Sequence, residues 1–598
     1  MSTLSSPPEQ LRWDLGHLYA SKDDPALQAD LAAMRREAEA LRQEYLGRVA
    51  LLTPGELLRL LQRYEAWSGR ISQLGAFASL TFSENSQDEA GKALYAKVRT
   101  ALTEAHADLQ FIEIELQATP EAHFAAHLRA GDLHLYHYYL ERVRRHAPHT
   151  LSDAEERLCA IKNTTGVQAW TQLYVEITAN MKVEVGTPEA SRLVTIAEAR
   201  ALRSGPDRDM RQRASAGLFR AHQDQAHVLT YIFNTVFEDH RQSIAMRHFQ
   251  DPMAPTLLEE DLAPEVVEAL MATTEAHYGL AQRYYRTKAK VLGIPDFATH
   301  DVLAPYSAQE EHVPFAEGQA IVLDALQRFS PRHANLARAF FEGRYIDVPP
   351  APGKQGGAFC SGMSPGLHPY VLLNYTHTLQ DVLTLAHELG HGIHFLLAGQ
   401  AQTLLNYYPI TPLAETASTF AELVTLNRLL EEARDPAVRL QLLATRVEDA
   451  ISTVMRQVMF TRWEQRAHAL RRDGVVSTEQ YSALWGELNR ALYGDVVQTQ
   501  AHDQWGWITI PHLVKYRFYC YSYAFGQLLV YALYQMYQEQ GEAFVPKLDT
   551  LLAAGGSAPA TVLLDRIGID IRDPAFWEKG FALVTRMLEE YEEAARSV

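Results

Sequence analysis

The chain is poor in cysteine, with three among 598 residues, Cys159, Cys360 and Cys520. They are far apart and form no C-x-x-C pair, so the sequence predicts no disulfide framework and a reducing compartment. The first ten residues lack the basic and apolar regions of a secretory signal peptide. No run of about 18 apolar residues occurs, so no membrane span is expected. These absences predict a soluble protein of the cytoplasm.

Basic residues are fewer than acidic ones. Lysine and arginine number 55 against 73 aspartate and glutamate residues, which gives a formal net charge of −18. Such a charge argues against nucleic acid as a partner. The Gly-rich segment 354–362 has neither the P-loop nor the dinucleotide-binding pattern. A hydrophobic fraction of 47% nevertheless predicts a globular protein with a large core.

One short motif organises the rest of the chain: His387-Glu388-Leu-Gly-His391, an H-E-x-x-H pattern within an apolar segment. Two histidines four residues apart lie on one face of a helix, about 6 Å apart along its axis. Both imidazoles can then reach one Zn²⁺ at about 2.0–2.1 Å. Glu388 would lie beside the metal and take a proton from metal-bound water.

The segment around the motif has the signals of a buried helix. Thr378 and Asp381 form an N-terminal capping pair, and Gly399 is expected to end the helix. Gly390 and Gly392 each cost about 1 kcal/mol inside a helix. Their presence is easier to understand if something approaches the helix backbone closely.

A third metal ligand is expected on a second helix, which we predict to begin with Thr411 as its N-cap and Pro412 at its first position. Glu415 and Glu422 are seven residues apart and so share one face of that helix. Carboxylates on a largely apolar helix favour a metal partner. The alternative is that both glutamates lie on the surface in contact with solvent and bind no metal.

His394 competes for the role of third ligand. It lies about 10 Å along the helix axis from His387, too far for both to bind one ion. We therefore interpret His394 as a residue of the core or of the surroundings of the ligands. The third histidine of a metzincin would fall at Leu397, so that type of site is excluded.

A second chemical cluster lies in the segment 510–526. If the segment is one helix, His512, Tyr516, Tyr519 and Tyr523 form a single stripe, and Tyr521 points elsewhere. Such a polar face suits the stabilisation of an oxyanion, an effect of about 3–4 kcal/mol. A buried aromatic stripe with satisfied hydroxyl groups is the alternative.

The remaining chain is predicted to be mainly helical. We expect helices from 24 to 180, including a start at Thr53 and one long helix over 88–118, and further helices over 186–295, near 315–343 and from 435 onward. A strand over 369–375 should form a small sheet before the motif helix, either to bind an extended peptide or as a structural hairpin. We divide the chain into a helical domain, 1–185, with a disordered tail over 1–10, and a catalytic domain, 186–598.

Taken together, these stretches resemble the oligoendopeptidase F family, relatives of thimet oligopeptidase. The resemblance runs from Trp13-Asp-Leu through the motif to Phe518–Gly526 and covers nearly the whole chain. It implies a mainly α fold: a large helical body with a deep substrate channel, and a small β-sheet beside the zinc helix. It also implies that segment 353–362 is a loop on the substrate side.

The resemblance assigns roles to individual residues as well. It implies that His387, His391 and Glu415 bind one catalytic zinc, that Glu388 is the general base and that Glu422 orients a ligand histidine. It implies too that His512, Tyr519 and Tyr523, together with Tyr516, stabilise the transition state. The spacing between this histidine and the tyrosines varies among relatives, so Tyr516 is the least secure of the three tyrosines.

These expectations describe a cytoplasmic zinc oligoendopeptidase that hydrolyses internal bonds of short unfolded peptides. The alternatives are a zinc carboxypeptidase, a peptide-binding protein that has lost catalysis, and a structural metal site. Cobalt or manganese would fit the same ligands. Oligopeptides are the expected partners, with no nucleic acid or membrane, and a monomer is the default because nothing in the sequence fixes an oligomeric state.

Overall fold

The structure, a computed structural model, describes residues 11–187, 190–306 and 312–597. Helices account for 73% of it, with one two-stranded and one three-stranded sheet, so the predicted mainly α fold is confirmed. The predicted tail, 1–10, lies outside the described residues. The deep channel stays a prediction.

The chain forms two compact units, each assembled from three separate stretches. The first unit contains Met1–Ala147, Glu310–Glu431 and Met536–Ile569, and the second contains Pro148–Gln309, Glu432–Gln535 and Asp570–Val598. The functional division into 1–185 and 186–598 stays a prediction.

Most of the helices begin at an N-cap side chain or a proline. The first fourteen are α1 (Pro25–Tyr45), α2 (Pro54–Glu84), α3 (Glu89–Leu109), α4 (Phe111–Gln117), α5 (Glu121–Arg129), α6 (His137–Arg145), α7 (Asp153–Thr165), α8 (Val167–Asn180), α9 (Ile196–Leu202), α10 (Arg208–Asp224), α11 (Ala226–Met246), α12 (Ala254–Glu259), α13 (Pro264–Ala276) and α14 (Tyr278–Val291).

The later helices carry both chemical clusters. They are α15 (Phe315–Phe329), α16 (Pro331–Glu342), α17 (Leu379–Ala401), α18 (Thr411–Ala414), α19 (Thr416–Glu432), α20 (Pro436–Ala450), α21 (Arg456–Arg472), α22 (Thr478–Tyr493), α23 (His512–Lys515), α24 (Cys520–Gln540), α25 (Val545–Ala553), α26 (Ala560–Asp565) and α27 (Pro574–Ala594). A π-helical turn, Ile451–Met455, joins α20 to α21.

The sheet predicted before the motif helix is present. The five strands are β1 (Lys182–Thr187), β2 (Ala190–Thr195), β3 (Ile346–Asp347), β4 (Phe359–Ser361) and β5 (Tyr370–Leu372). Strand β5 lies between β3, which runs parallel to it, and β4, which runs antiparallel in the register Phe359↔Leu372. Strand β4 is therefore an edge strand, and it packs against α17.

The prediction of helix from residue 186 onward is wrong at its start, where β1 and β2 form an antiparallel hairpin. Val183, Val185 and Val194 are buried together against α9 and α10. The hairpin lies so close to α10 that a Cβ atom on Gly217 would be 2.3 Å from the Glu184 carbonyl oxygen. This tertiary packing selects strand over helix.

Three predicted helix boundaries are also wrong. The stretch 88–118 is two helices separated at Gln110, and the segment near 315–343 is divided where Ser330 caps a new helix beginning at Pro331. Helix α17 continues past Gly399 to Ala401, because Gly399 is a site of close packing rather than a stop: its added Cβ would lie 3.3 Å from the ring of Tyr407.

Each unit has its own core. In the first unit, Trp13, Trp67 and Phe77 are buried in a cluster that includes Tyr370 and Leu372 of β5. In the second unit, a buried aromatic cluster contains Phe233, Trp463, Tyr481 and Trp507, and the Trp463 and Trp507 rings stack with centroids 5.5 Å apart. Such pairs contribute about 0.5–1.5 kcal/mol beyond burial.

Helix α17 is the central helix of the first unit and packs against α15, α16, α25 and the three-stranded sheet. Gly392 allows close contact with α16, since its added Cβ would lie 2.2 Å from the Phe340 ring. The predicted N-terminal cap is confirmed: Thr378 accepts the Asp381 N–H, and Asp381 accepts the Thr378 N–H. The position of the motif is therefore fixed by both packing and capping.

Among the described residues, no helix has the length and apolar character needed to cross a membrane.

The cap of α17 can be tested directly. Thr378→Ala should weaken the first turn by about 1 kcal/mol, because the cap hydroxyl group is lost. Amide hydrogen exchange of that turn should become roughly fivefold faster. Thr384→Ala is the control, since the Thr384 hydroxyl only donates to the Gln380 carbonyl within the same helix at 3.0 Å. Equal exchange rates in the two variants would contradict the role of the cap.

Candidate metal centre

The side chains of the three predicted ligands converge on one point. The Nε2 atoms of His387 and His391 are 3.1 Å apart, and Glu415 Oε2 lies 3.4 Å from the first and 3.2 Å from the second. A tetrahedral site with bonds of 2.0–2.1 Å has edges of about 3.3 Å between ligand atoms. Within the described ranges, this is the single group of three histidine, cysteine or acidic residues with such spacing. The donor set fits zinc.

Helix α17 places the two histidines one turn apart, and a break between two helices places Glu415. The prediction of one helix capped by Thr411 is wrong: Ile410 is the N-cap, and α18 ends at Ala414. Glu415 has φ −88° and ψ 1°, which departs from the helical conformation, and α19 begins at the next residue. The Glu415 side chain therefore leaves the chain at a junction between helices.

Glu422 supports the first histidine. Its Oε1 lies 2.6 Å from Nδ1 of His387, which fixes the ring and leaves Nε2 facing His391 and Glu415. Burial alone would lower the pKa of His387, but the hydrogen bond and charge of Glu422, with the charges of Glu415 and Glu388, raise it to about 9. Glu415 and Glu422 thus both act on His387, Glu415 from the junction before α19 and Glu422 from within that helix.

Glu415 is held in its charged form. Its partial burial would raise its pKa, but the hydrogen bond and charge of His391, followed by the charge of His387 and the Ser418 hydroxyl group, lower it to about 2. Ser418 lies three residues after Glu415, and sequence reasoning missed it. The available signal was its position on the same helical face as the carboxylate.

Glu388 differs from the other carboxylates because it is buried, with 6% of its surface exposed. Burial raises the pKa of Glu388, and the charges of His387 and His391 partly oppose that effect. Cys360 on edge strand β4 is close enough for Glu388 to act on it: burial first, and then the charge of Glu388, raise the pKa of the Cys360 thiol well above its usual value. The edge strand therefore runs beside the predicted base.

His394 is not among the converging ligands. It is 2% exposed, and burial lowers its pKa to about 3, so its ring is neutral. These observations agree with its interpretation as a core residue.

The second cluster belongs to the second unit, where His512 and three tyrosines meet. The His512 ring centroid lies 6.4, 6.0 and 5.8 Å from those of Tyr516, Tyr519 and Tyr523. The Tyr523 hydroxyl group is 3.3 Å from His512 Nε2. Tyr521 points elsewhere, as predicted, and its hydroxyl group donates to the buried carboxylate of Glu260.

The prediction of a single helix over 510–526 is wrong, although its four residues do cluster. Helix α23 ends at Lys515 and α24 begins at Cys520. Between them Phe518 has φ +52°, an uncommon left-handed conformation for a large side chain. The buried Glu464 accepts the Phe518 N–H at 2.9 Å and so stabilises the turn.

Comparison with known proteins gives a consistent result. The sequence profile of Peptidase family M3 matches residues 201–583, more than half of the chain, and that of Oligopeptidase F matches residues 115–182. An oligoendopeptidase F homolog from Lactococcus lactis subsp. lactis is 27% identical over 592 residues, which cover 98% of this chain and 97% of the relative. Oligopeptidase PepF from Bacillus subtilis is 24% identical, with coverage of 98% and 87%.

Solved structures share the fold. A crystal structure from Chlamydophila abortus has a TM-score of 0.91 at 24% identity and covers 99% of both chains. Oligoendopeptidase F from Enterococcus faecium has a TM-score of 0.68 at 20% identity, with coverage of 96% of this chain and 98% of that one.

The contact between Glu422 and His387 generates a prediction. Glu422→Gln keeps an oxygen that can accept the Nδ1–H of His387 but removes the negative charge. Zinc affinity, measured by competition with a chelating dye, should fall by about tenfold or more. Glu431→Gln is the matched control, because Glu431 is on the same helix but faces the exposed Arg328. Unchanged zinc affinity in Glu422→Gln would contradict the role given to Glu422.

Proposed function

The chain belongs to peptidase family M3 and is a peptidase, and from that premise we propose that it is a zinc-dependent oligoendopeptidase. It hydrolyses internal bonds of short unfolded peptides, with Glu388 as the general base. The single observation that carries the proposal is the convergence of His387, His391 and Glu415 beside the buried Glu388.

The number of protein ligands favours catalysis over a structural role. Structural zinc usually has four protein ligands, whereas a catalytic site has three and keeps one position open. The described residues offer three ligand atoms here. A protein that only binds peptides has no need of a carboxylate such as Glu388 beside an open position.

When bound, zinc supplies Lewis acidity that polarises the scissile carbonyl and makes water more acidic. Glu388 takes a proton from the attacking water and later delivers it to the leaving amine. Burial raises the pKa of Glu388, and a higher pKa makes the carboxylate a stronger base for removing this proton. Glu422 meanwhile holds the ring of His387 in place.

His512 and the tyrosines are assigned the stabilisation of the oxyanion that forms on the substrate. Burial, followed by the charge of Lys515, lowers the pKa of His512, so its ring is neutral at pH 7 and donates one N–H. Tyr519 and Tyr523 supply hydroxyl donors, and their ring centroids are 5.2 Å apart. Tyr516 is 58% exposed and is assigned to the same stabilisation.

Edge strand β4 supports an extended peptide as the substrate. In the part of the chain that the structure describes, no strand pairs with the outer edge of β4. The strand lies next to the helix that carries Glu388, so a peptide can add to the sheet there. The names of the Lactococcus lactis and Enterococcus faecium relatives favour internal cleavage over carboxypeptidase activity. The three free cysteines suit the cytoplasm.

The base is tested by Glu388→Gln, which removes proton transfer and keeps the size of the side chain. Zinc content should stay at one equivalent while kcat for an internally quenched peptide falls by about 10²–10⁴-fold. If Glu388→Gln retains turnover with zinc bound, Glu388 is not the general base.

The oxyanion donors are tested by Tyr519→Phe. The loss of one donor should lower kcat by about 10²–10³-fold, with zinc content unchanged and KM nearly constant. Tyr231→Phe is the control, because Tyr231 is an exposed tyrosine of the same unit, outside the cluster. If the two variants have equal kcat values, Tyr519 is not a donor.

A further inference from the structure

Ser418 makes an unusual contact for a helical serine. It is fully buried, and its hydroxyl group lies 2.8 Å from Glu415 Oε2 and 3.0 Å from the Glu415 carbonyl oxygen. Oε2 is the same oxygen that faces the two imidazoles. The Ser418 hydroxyl group therefore reaches the atom that would bind the metal.

Gly390 on α17 faces the backbone of Ala417 and Ser418. Gly390 precedes His391 on α17, and a Cβ atom added to it would lie 2.5 Å from both the Ala417 carbonyl oxygen and the Ser418 Cα atom. Backbone atoms cannot give way as a flexible side chain does. The first turn of α19 thus meets α17 at a point that only glycine permits.

We propose that Ser418 and Gly390 are positioning residues that fix Glu415 for metal binding, an inference that rests on the proposed zinc site. Gly390 sets the distance between the two helices, and Ser418 selects the rotamer of the carboxylate. The Glu415 side chain is 50% exposed, so packing alone does not hold it. Fixing a free glutamate costs side-chain entropy, and a preformed hydrogen bond removes part of that cost from metal binding.

The alternative is that the Ser418 hydroxyl group serves only to hydrogen-bond a backbone carbonyl one turn earlier, as serine and threonine hydroxyl groups in helices commonly do. Ser452 provides an example in the second unit, since its hydroxyl group donates to the Asp449 carbonyl at 3.3 Å, also three residues back. Ser418 differs because it is buried, whereas Ser452 is exposed, and because it has the additional contact with a carboxylate. Ser452→Ala is therefore the control for the loss of a hydroxyl group that bonds only to a backbone carbonyl.

The first test compares zinc affinity with the stability of the metal-free protein. Ser418→Ala should bind zinc about tenfold or more weakly in a chelator competition. The midpoint of thermal unfolding of its metal-free form should match that of Ser452→Ala. In the cobalt-substituted protein, the visible absorption bands of Ser418→Ala should shift, because Glu415 no longer holds one orientation.

The second test uses Gly390→Ala, with Gly69→Ala as its control. Gly69 lies inside α2, and a Cβ atom added there meets nothing within 4 Å. Gly390→Ala should lower zinc affinity and the unfolding midpoint, while Gly69→Ala should leave zinc affinity unchanged. Wild-type affinity in Gly390→Ala would overturn its positioning role.

The outcomes separate this inference from the proposed function. If the wild-type protein binds no zinc, the proposed function fails, and the inference fails with it. If the wild type binds zinc tightly and Ser418→Ala binds it equally well with an unchanged cobalt spectrum, the inference alone is overturned. Weaker binding with an unaltered midpoint of the metal-free protein supports it.

Discussion

The close approach of α17 and α19 is the constraint on which the candidate site depends. The two helices meet where Gly390 leaves room for the backbone of Ala417 and Ser418. That contact brings Glu415 to both imidazoles and Glu422 to the far side of the His387 ring. Because protein interiors are close-packed, adding even one methyl group at this contact would displace the ligand atoms. The geometry of the site follows from the absence of one side chain.

Charge balance makes this site suited to a divalent cation. Glu388, Glu415 and Glu422 all act on the pKa of His387, which rises to about 9 despite burial. Three carboxylates around two imidazoles would repel one another without positive charge, and either protons or a metal ion can supply it. Glu388 is distinct because it is buried and is not a ligand atom of the cluster. This difference is why we propose Glu388 as the base and Glu415 as a ligand.

The sequence was informative where the signals were local. The capping pair Thr378 and Asp381 and the four-residue spacing of the histidines follow from helix geometry, and both are confirmed. The two glutamates do reach the histidines, but Glu415 does so from a junction between helices that their spacing did not predict. The break at Phe518 was not predictable, because its left-handed turn depends on Glu464, 54 residues away along the chain. The hairpin of β1 and β2 depends likewise on α10. Long-range contacts, rather than weak propensities, account for these errors.

We propose that this chain cleaves internal peptide bonds with a metal held by His387, His391 and Glu415. The most direct measurement is mass spectrometry of a peptide of about ten residues, blocked at both ends, incubated with the protein, with and without a chelator. We expect internal fragments that disappear with the chelator and return when zinc is added. An intact blocked peptide in the zinc-loaded sample, with cleavage of its unblocked form, would contradict endopeptidase activity.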